Sequence, residues 1–243
     1  MNNEDLNSLI YKALKLVSED KYNHAKDMVD SILNNKSNLK LDMYHWQHIG
    51  DILLVCKEFE RAINAYENAN NHAGVAFVFI ILANLNEAKK YLKDSSLSPA
   101  ASWCQFLFEL FSTKKIKKLP PFLQTRHFLE MTVYYLLLAE NDLFIEILLK
   151  NLNRLIDSNL DSEKLIGCAY LNFGKLDEAE KFFINATKRN QLDGEIYFML
   201  GKLYVMKNNY LAAMDMLQNA NLLLNEHMPT KKLIEKVELK LSN

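Results

Sequence analysis

His45, His48 and Asp51 have a spacing that can place titratable side chains on one face of a helix, one turn apart. Imidazole and carboxylate groups arranged in this way can bind a zinc ion. No cysteine joins them nearby, and histidines on the exposed side of a helix need no ligand. We therefore predict that these residues form no metal site.

Cys168 could be a reactive thiol, but no histidine or basic pair lies next to it to lower its pKa, so we interpret it as a half-buried structural cysteine. Acidic residues such as Asp177 and Glu178 lie at helix starts, where the helix dipole stabilises them. The six glycines are dispersed and form neither a phosphate-binding loop nor a nucleophile elbow. We therefore predict that the protein is not an enzyme and binds no cofactor. An enzyme built on a helical scaffold is the remote alternative.

The elements that position these residues follow a repeated pattern of large apolar and small residues. Each copy has a turn halfway, which predicts a helix, a turn and a second helix. Gly167, Tyr170, Ala179, Phe183 and Ala186 recur 34 residues later as Gly201, Tyr204, Ala213, Leu217 and Ala220. A third copy consists of Trp46, Ile49, Gly50, Leu53, Phe59, Ala62, Tyr66 and Ala69.

This pattern resembles the tetratricopeptide repeat, W-x₂-L-G-x₂-Y…A-x₃-F, although Tyr197 takes the tryptophan position in the last copy and Glu163 fails to fill it in the copy before. The small residues let two antiparallel helices approach, while the large ones fill the space between hairpins. The resemblance implies an all-α, right-handed α-solenoid of about six to seven antiparallel hairpins with a C-terminal capping helix.

We expect a single superhelical domain over residues 1–243. It divides into N-terminal repeats at 1–97, a divergent central segment at 98–157, two regular repeats at 158–228 and a capping helix at 229–243. Asn71 and Ser98 have the residue types and positions of helix N-caps. Pro120 and Pro121 follow a run of lysines and predict that the second helix of that hairpin is missing or very short.

Composition narrows the function classes. The apolar content of 49% and charged content of 24% predict a folded chain, and the net charge of −1 argues against nucleic acid as the main partner. The longest apolar run, Val75 to Ala83, is too short for a membrane span. A polar, acidic N-terminus and three isolated cysteines predict a cytoplasmic protein.

The resemblance further implies that the first helices of successive hairpins line a concave groove for a peptide. The residues expected there are Tyr44, Gln47, Asp51, Phe77, Ile80, Met131, Tyr135, Leu138, Lys164, Phe198 and Lys202. For Phe77, Ile80, Tyr135 and Leu138 a place in the core is the open alternative. A clamp for a partner's carboxylate is disfavoured, since no lysine or arginine lies between Asn64 and Glu87.

The favoured function is a protein-protein interaction module or scaffold that binds a peptide or protein partner in its groove, as a chaperone or adaptor does. The alternative is a structural subunit of an oligomer or larger assembly, so a homo-oligomer remains open.

Overall fold

The structure, a computed structural model, describes residues 3–34, 40–92, 98–116, 119–120, 122–157 and 159–242. Within these ranges the chain forms fourteen α-helices and no β-strand, which confirms the predicted all-α fold. In chain order the helices are α1 Asn3–Ser18, α2 Tyr22–Asn34, α3 Met43–Val55, α4 Phe59–Asn68, α5 His72–Ile81, α6 Leu85–Leu92, α7 Pro99–Thr113, α8 Phe122–Leu138, α9 Asp142–Asp157, α10 Ser162–Asn172, α11 Leu176–Arg189, α12 Gly194–Met206, α13 Tyr210–Leu223 and α14 Met228–Leu241.

Polar side chains begin several of these helices at the predicted places. The Asn71 side chain accepts a hydrogen bond from the backbone N–H of Gly74, and Ser98 accepts one from that of Ala101. Each bond satisfies a donor that the first helical turn would leave unpaired. The cap predictions for Asn71 and Ser98 are therefore confirmed.

The turns between helices are short and contain a residue in the left-handed conformation. Gly174, at φ 69°, is the glycine among them, while Lys57, Asn70 and Ala83 adopt φ values between 53° and 61°. Such a residue ends a helix sharply and returns the chain beside it. The chain can therefore form tight helical hairpins with few glycines.

The chain divides into two compact units. Unit 1 comprises Met1–Phe128 and Leu138–Leu148, and unit 2 comprises Leu129–Leu137 and Leu149–Asn243. Helices α8 and α9 thus contribute residues to both. The arrangement of 1–243 as one superhelical domain stays a prediction.

In unit 1, the pairs α1 with α2, α3 with α4, and α5 with α6 pack as hairpins, and α7 packs on α5 and α6. Gly50 is the contact point of the α3/α4 hairpin, because a Cβ atom at this position would lie 2.6 Å from the ring of Tyr66. Phe111 of α7 stacks on Phe144 with ring centroids 4.0 Å apart. Unit 1 is therefore built from hairpins that approach closely at small residues.

Unit 2 repeats this packing in α10 with α11 and in α12 with α13. A Cβ atom at Gly167 would lie 2.8 Å from Phe183, and one at Gly201 would lie 2.6 Å from Leu217. Helix α14 packs on α12 and α13, where Val237 is buried against Leu217. It begins at Met228, one residue before the predicted start at 229, because a proline fits the first helical turn.

The predicted interruption follows α7. That helix ends at Thr113, where Lys114 adopts the left-handed conformation and donates its backbone N–H to the carbonyl of Leu110. The described residues from Lys114 to Pro120 form no helix, and the next one begins at Phe122. Residues 117, 118 and 121, which complete the lysine run and the double proline, lie outside the described residues.

Across the described parts of the chain, every helix is too short or too polar to cross a bilayer.

Candidate functional site

Asp51 is the centre of a polar network on α3. Its Oδ1 atom accepts one hydrogen bond from the Gln47 Nε2 at 2.9 Å and another from the Tyr66 hydroxyl at 2.8 Å. Its Oδ2 atom lies 3.6 Å from the Nδ1 of His48. Residues 47, 48 and 51 share a side of α3 because they lie within one helical turn of one another.

Glycine positions allow Tyr66 to reach this carboxylate. The Tyr66 ring lies where a Cβ atom at Gly50 would fall, and a Cβ at Gly74 would lie 3.0 Å from the same ring. Both positions must therefore lack a side chain for the tyrosine to pass between α3 and α5. The ring is buried, whereas its hydroxyl reaches Asp51.

Asn71 links the network to α5. Its Oδ1 caps that helix by accepting the N–H of Gly74 at 2.9 Å, and its Nδ2 donates to the Oε1 of Gln47 at 2.6 Å. One carboxamide thus sets the start of α5 and the position of a side chain on α3.

Tyr44 lies two turns before Asp51 on the same side of α3, and its side chain is 63% exposed. Its ring meets His48 edge to face, with centroids 4.4 Å apart. We call Tyr44, Gln47, His48 and Asp51 the α3 face. It combines an aromatic ring, an amide, an imidazole and a carboxylate, which suits recognition of a polar or charged segment.

Burial raises the pKa of Asp51, while the hydrogen bonds from Tyr66 and Gln47 and the proximity of His48 oppose that shift. The side chain is nevertheless 41% exposed, so a ligand can reach it. Helices α3, α5 and α7 carry no lysine or arginine. The carboxylate is therefore held by uncharged donors.

His45 has a structural role, and its expected exposure was wrong. The side chain is 3% exposed, its Nδ1 accepts the Asp42 backbone N–H at 3.2 Å, and its Nε2 lies 3.1 Å from the Oδ1 of Asn7. Asp42 in turn accepts the His45 N–H, which completes a capping box for α3. Among the described residues, no group of three or more His, Cys, Asp or Glu side chains could hold a metal ion.

Four predicted groove residues had a place in the core as their alternative, and the structure separates them into two pairs. Ile80 and Leu138 are buried, and their assignment to the groove is corrected, because a buried side chain offers no surface to a partner. Phe77 and Tyr135 are half-buried, as is Met131. A groove role for these three stays a prediction.

In unit 2, Lys164 is already paired within the protein. Its Nζ lies 2.8 Å from the Asp193 carboxylate and 3.0 Å from that of Glu195, and these hydrogen bonds raise its pKa despite the opposing effect of burial. Lys202 is exposed. Asp161 also lies 3.6 Å from this Nζ, so a partner's carboxylate would compete with three internal acids for Lys164.

Phe198 packs against the core cluster that holds α14, and its ring meets His227 edge to face at 5.0 Å. It thus contributes to the capping of the last hairpin as well as to a predicted groove. Burial raises the pKa of the half-buried Cys168 thiol to about 11, which fits a structural cysteine better than a nucleophile.

A separate cavity of about 340 Å³ lies on another side of α3. Its lining includes Leu33, Trp46, Ile49 and Arg61, and none of the predicted groove residues. Arg61 pairs with Asp30. The half-buried Trp46 lies one residue before Gln47 on α3, so its fluorescence offers a reporter close to the α3 face.

Two members of the network were missed as functional residues in the sequence. Tyr66 reads as a core residue, because the equivalent positions hold Phe183 and Leu217. The hydroxyl was the available signal, since a buried tyrosine usually finds a hydrogen-bond partner. Asn71 was predicted as a helix cap. Its second hydrogen bond, to Gln47, could not be predicted because the two residues lie 24 positions apart on different elements.

Residues 165–191 match the sequence model of the tetratricopeptide repeat, and this match spans most of α10 and all of α11. The predicted resemblance is therefore confirmed over the first of the two regular copies. A comparison with curated proteins found no match.

Several solved structures are similar to this chain. A chain of the APC/C hetero-tetramer Cut9-Hcn1 is 12% identical with a TM-score of 0.40, and the match covers 96% of this chain but only 42% of that one. YrrB, described as a tetratricopeptide repeat protein with an unusual peptide-binding site, is 19% identical over 85% of this chain and 96% of its own, with a TM-score of 0.37. A tetratricopeptide repeat protein from Parabacteroides merdae is 15% identical over 97% and 99% of the two chains, with a TM-score of 0.40.

Proposed function

We propose that this protein is an interaction module that binds a segment of a partner protein across the α3 face, as an adaptor or chaperone does. The observation that carries the proposal is the set of accessible side chains around Asp51. An exposed tyrosine, an amide and a carboxylate lie together on the first helix of a hairpin. Aromatic anchors beside oriented polar groups are what peptide-binding surfaces use.

The packing of the hairpin supports a preformed surface. Gln47 is hydrogen-bonded to both Asp51 and Asn71, so its side chain is oriented before a partner arrives. Orientation in advance lowers the entropy lost on binding. The site requires no large rearrangement of α3.

Site-specific photo-crosslinking tests this proposal. A benzophenone amino acid in place of Tyr44 should form covalent adducts with partner proteins in extracts of the native organism. The same amino acid in place of Lys232, an exposed residue of α14, is the matched control. Adducts specific to position 44 support the proposal, and equal adduct formation at both positions contradicts it.

A structural subunit is the second candidate, and exposed leucines on α13 favour it. Leu211 and Leu222 are 72% and 81% exposed and lie on one stripe of the helix. If this stripe packs on another copy, light scattering should show an oligomer that Leu211→Ser with Leu222→Ser converts to monomer. A wild-type mass of 28.2 kDa, that of one chain, would exclude self-association through this stripe.

A further inference from the structure

The Asp51 carboxylate has room for one more partner. Both hydrogen bonds that it accepts end on Oδ1, and both come from neutral groups. The His48 Nδ1, at 3.6 Å from Oδ2, is beyond hydrogen-bond distance. Among the described residues, nothing donates a hydrogen bond to Oδ2.

The lysine and arginine residues of α2, α4 and the turn after α3 are engaged with other acidic residues. Arg61 of α4 pairs with Asp30, and Lys26 of α2 pairs with Glu58. Lys57, in the turn after α3, lies 3.4 Å from Glu140. A partly buried carboxylate without a lysine or arginine partner keeps part of its desolvation cost, which an incoming positive charge would offset.

Tyr44 supplies the second half of the site. The ring touches His48 edge to face, and the Nδ1 of His48 lies 3.6 Å from Oδ2 of Asp51, so His48 lies between the ring and the carboxylate while much of the ring stays in solvent. A basic side chain that reaches the carboxylate would gain an ion pair there, and its apolar stem would gain packing area on the exposed ring.

We propose that the α3 face binds a lysine or arginine side chain of the partner segment, whose charged end pairs with Oδ2 of Asp51 while its stem lies on Tyr44. This inference rests on the proposed function, because it names the chemistry that the proposed peptide site recognises. The complementary charge comes from the carboxylate on α3 and from the absence of lysine and arginine on α3, α5 and α7.

Selection from a phage-displayed library of random peptides tests this proposal. We expect peptides selected on the wild-type protein to share a basic residue at one position. Asp51→Asn should lose this preference. Asp215→Asn, which removes an equal charge from an exposed position on α13, should keep it.

Affinities of one selected peptide then localise the contact. Replacing its basic residue by norleucine, which removes the charge, should weaken binding to the wild-type protein about tenfold. The same replacement should have little effect on binding to Asp51→Asn. Tyr44→Ala, at an exposed position, tests the stem contact without changing Asp51, and it should weaken the basic peptide and the norleucine peptide to a similar extent because both carry an apolar stem. Unchanged affinity of both peptides for Tyr44→Ala would overturn the stem contact.

The outcomes separate the two proposals. Selected peptides without a basic position, or equal binding of the basic peptide to Asp51→Asn and wild type, would overturn the cation site and leave the peptide-binding function standing. If no peptide is selected at all, both proposals fail.

Discussion

Asp51 illustrates how a single polar residue can be oriented by its neighbours at a cost to folding. Its carboxylate is oriented by Tyr66 and Gln47 but partly withdrawn from water, and burial raises its pKa. Functional groups are often held in such unfavourable settings. In the proposed cation site, the positive charge of a partner would offset the desolvation cost of this carboxylate.

We expect Asp51→Asn to increase the free energy of unfolding at neutral pH by less than about 1 kcal/mol, a small effect because a side chain that is 41% exposed is screened by solvent. Folding raises the pKa of Asp51, so the folded state binds the proton more tightly and its stability falls as the pH rises through that raised pKa. Asparagine carries no charge at any pH.

Urea unfolding of both proteins at about pH 7 and about pH 3 checks this expectation. The difference should vanish at the acidic pH, where the carboxyl group is protonated in wild type as well. A variant that is less stable than wild type at neutral pH would contradict it.

Tyr66→Phe should lower the free energy of unfolding by about 1 kcal/mol, because it removes the hydroxyl that donates to Asp51 at 2.8 Å. The ring itself should remain in place, since Phe183 fills the equivalent position in unit 2. Urea denaturation measures the change, and an unchanged midpoint would show that the bond to Asp51 contributes nothing to stability.

The neighbours of a single residue can be predicted from sequence when they lie on the same helix. Gln47 and Asp51 lie four residues apart on one helix, and the structure joins them by a hydrogen bond. The partners of Lys164 were not predicted, because Asp193 is 29 residues away and only the packing of α10 beside α12 brings the two together. The burial of His45 likewise depends on Asn7 of another helix.

Helical hairpins are the elements of this fold, and close contact at glycine is what specifies their packing. We expect Gly50→Ala to lower the free energy of unfolding by about 2 kcal/mol, because the added Cβ would lie 2.6 Å from the buried Tyr66 ring. Gly174→Ala is the matched control. No atom of the described residues lies within 4 Å of that Cβ, so the cost should come only from the left-handed φ of 69° and be about 1 kcal/mol.

Chemical denaturation of the two variants distinguishes packing from backbone strain. If Gly174→Ala cost as much as Gly50→Ala, the close approach of α3 to Tyr66 would not be the reason for glycine at position 50.

Element boundaries were predictable wherever a cap residue or a proline marks them. Asn71 and Ser98 begin α5 and α7 as expected, and the chain leaves the helical conformation before the double proline. The end of α7 at Thr113 was not predictable, because its cap at Lys114 adopts a left-handed backbone conformation that a lysine rarely takes. Local backbone conformation of this kind is a weak signal in sequence.

Over the whole molecule, the hairpin packing within each unit joins helices that are close in the chain. In unit 2, α10 packs with α11 and α12, and α13 packs with α12 and α14. Repeat proteins with such contacts gain their stability from neighbouring elements and can open from an end.

Leu217→Asp should therefore increase amide hydrogen exchange most in α12, α13 and α14, and less in α10. Leu217 is fully buried against Gly201 and Val237, so a carboxylate there would lose its solvation without gaining a partner. Leu222→Asp, at an 81% exposed position of the same helix, should leave the exchange unchanged. A uniform loss of protection throughout unit 2 in Leu217→Asp would indicate cooperative unfolding instead.

The fold class was predictable at this scale because the repeated glycine, alanine and aromatic positions report hairpin packing directly. The division of the chain into two units was not predictable from the sequence, because the boundary passes through α8 and α9, where the repeat pattern is weakest. The identity of a partner cannot be predicted from the repeat positions either, because residues such as Gly167 and Ala179 pack between helices and do not depend on what the protein binds.

The bond between Asn71 and Gln47 has a consequence for how this protein can evolve. Because Asn71 also caps α5, a change at position 47 that alters ligand preference disturbs the start of the neighbouring helix. New specificity at this position thus requires a compatible partner at position 71. Among homologues with altered recognition, substitutions at the two positions should occur together.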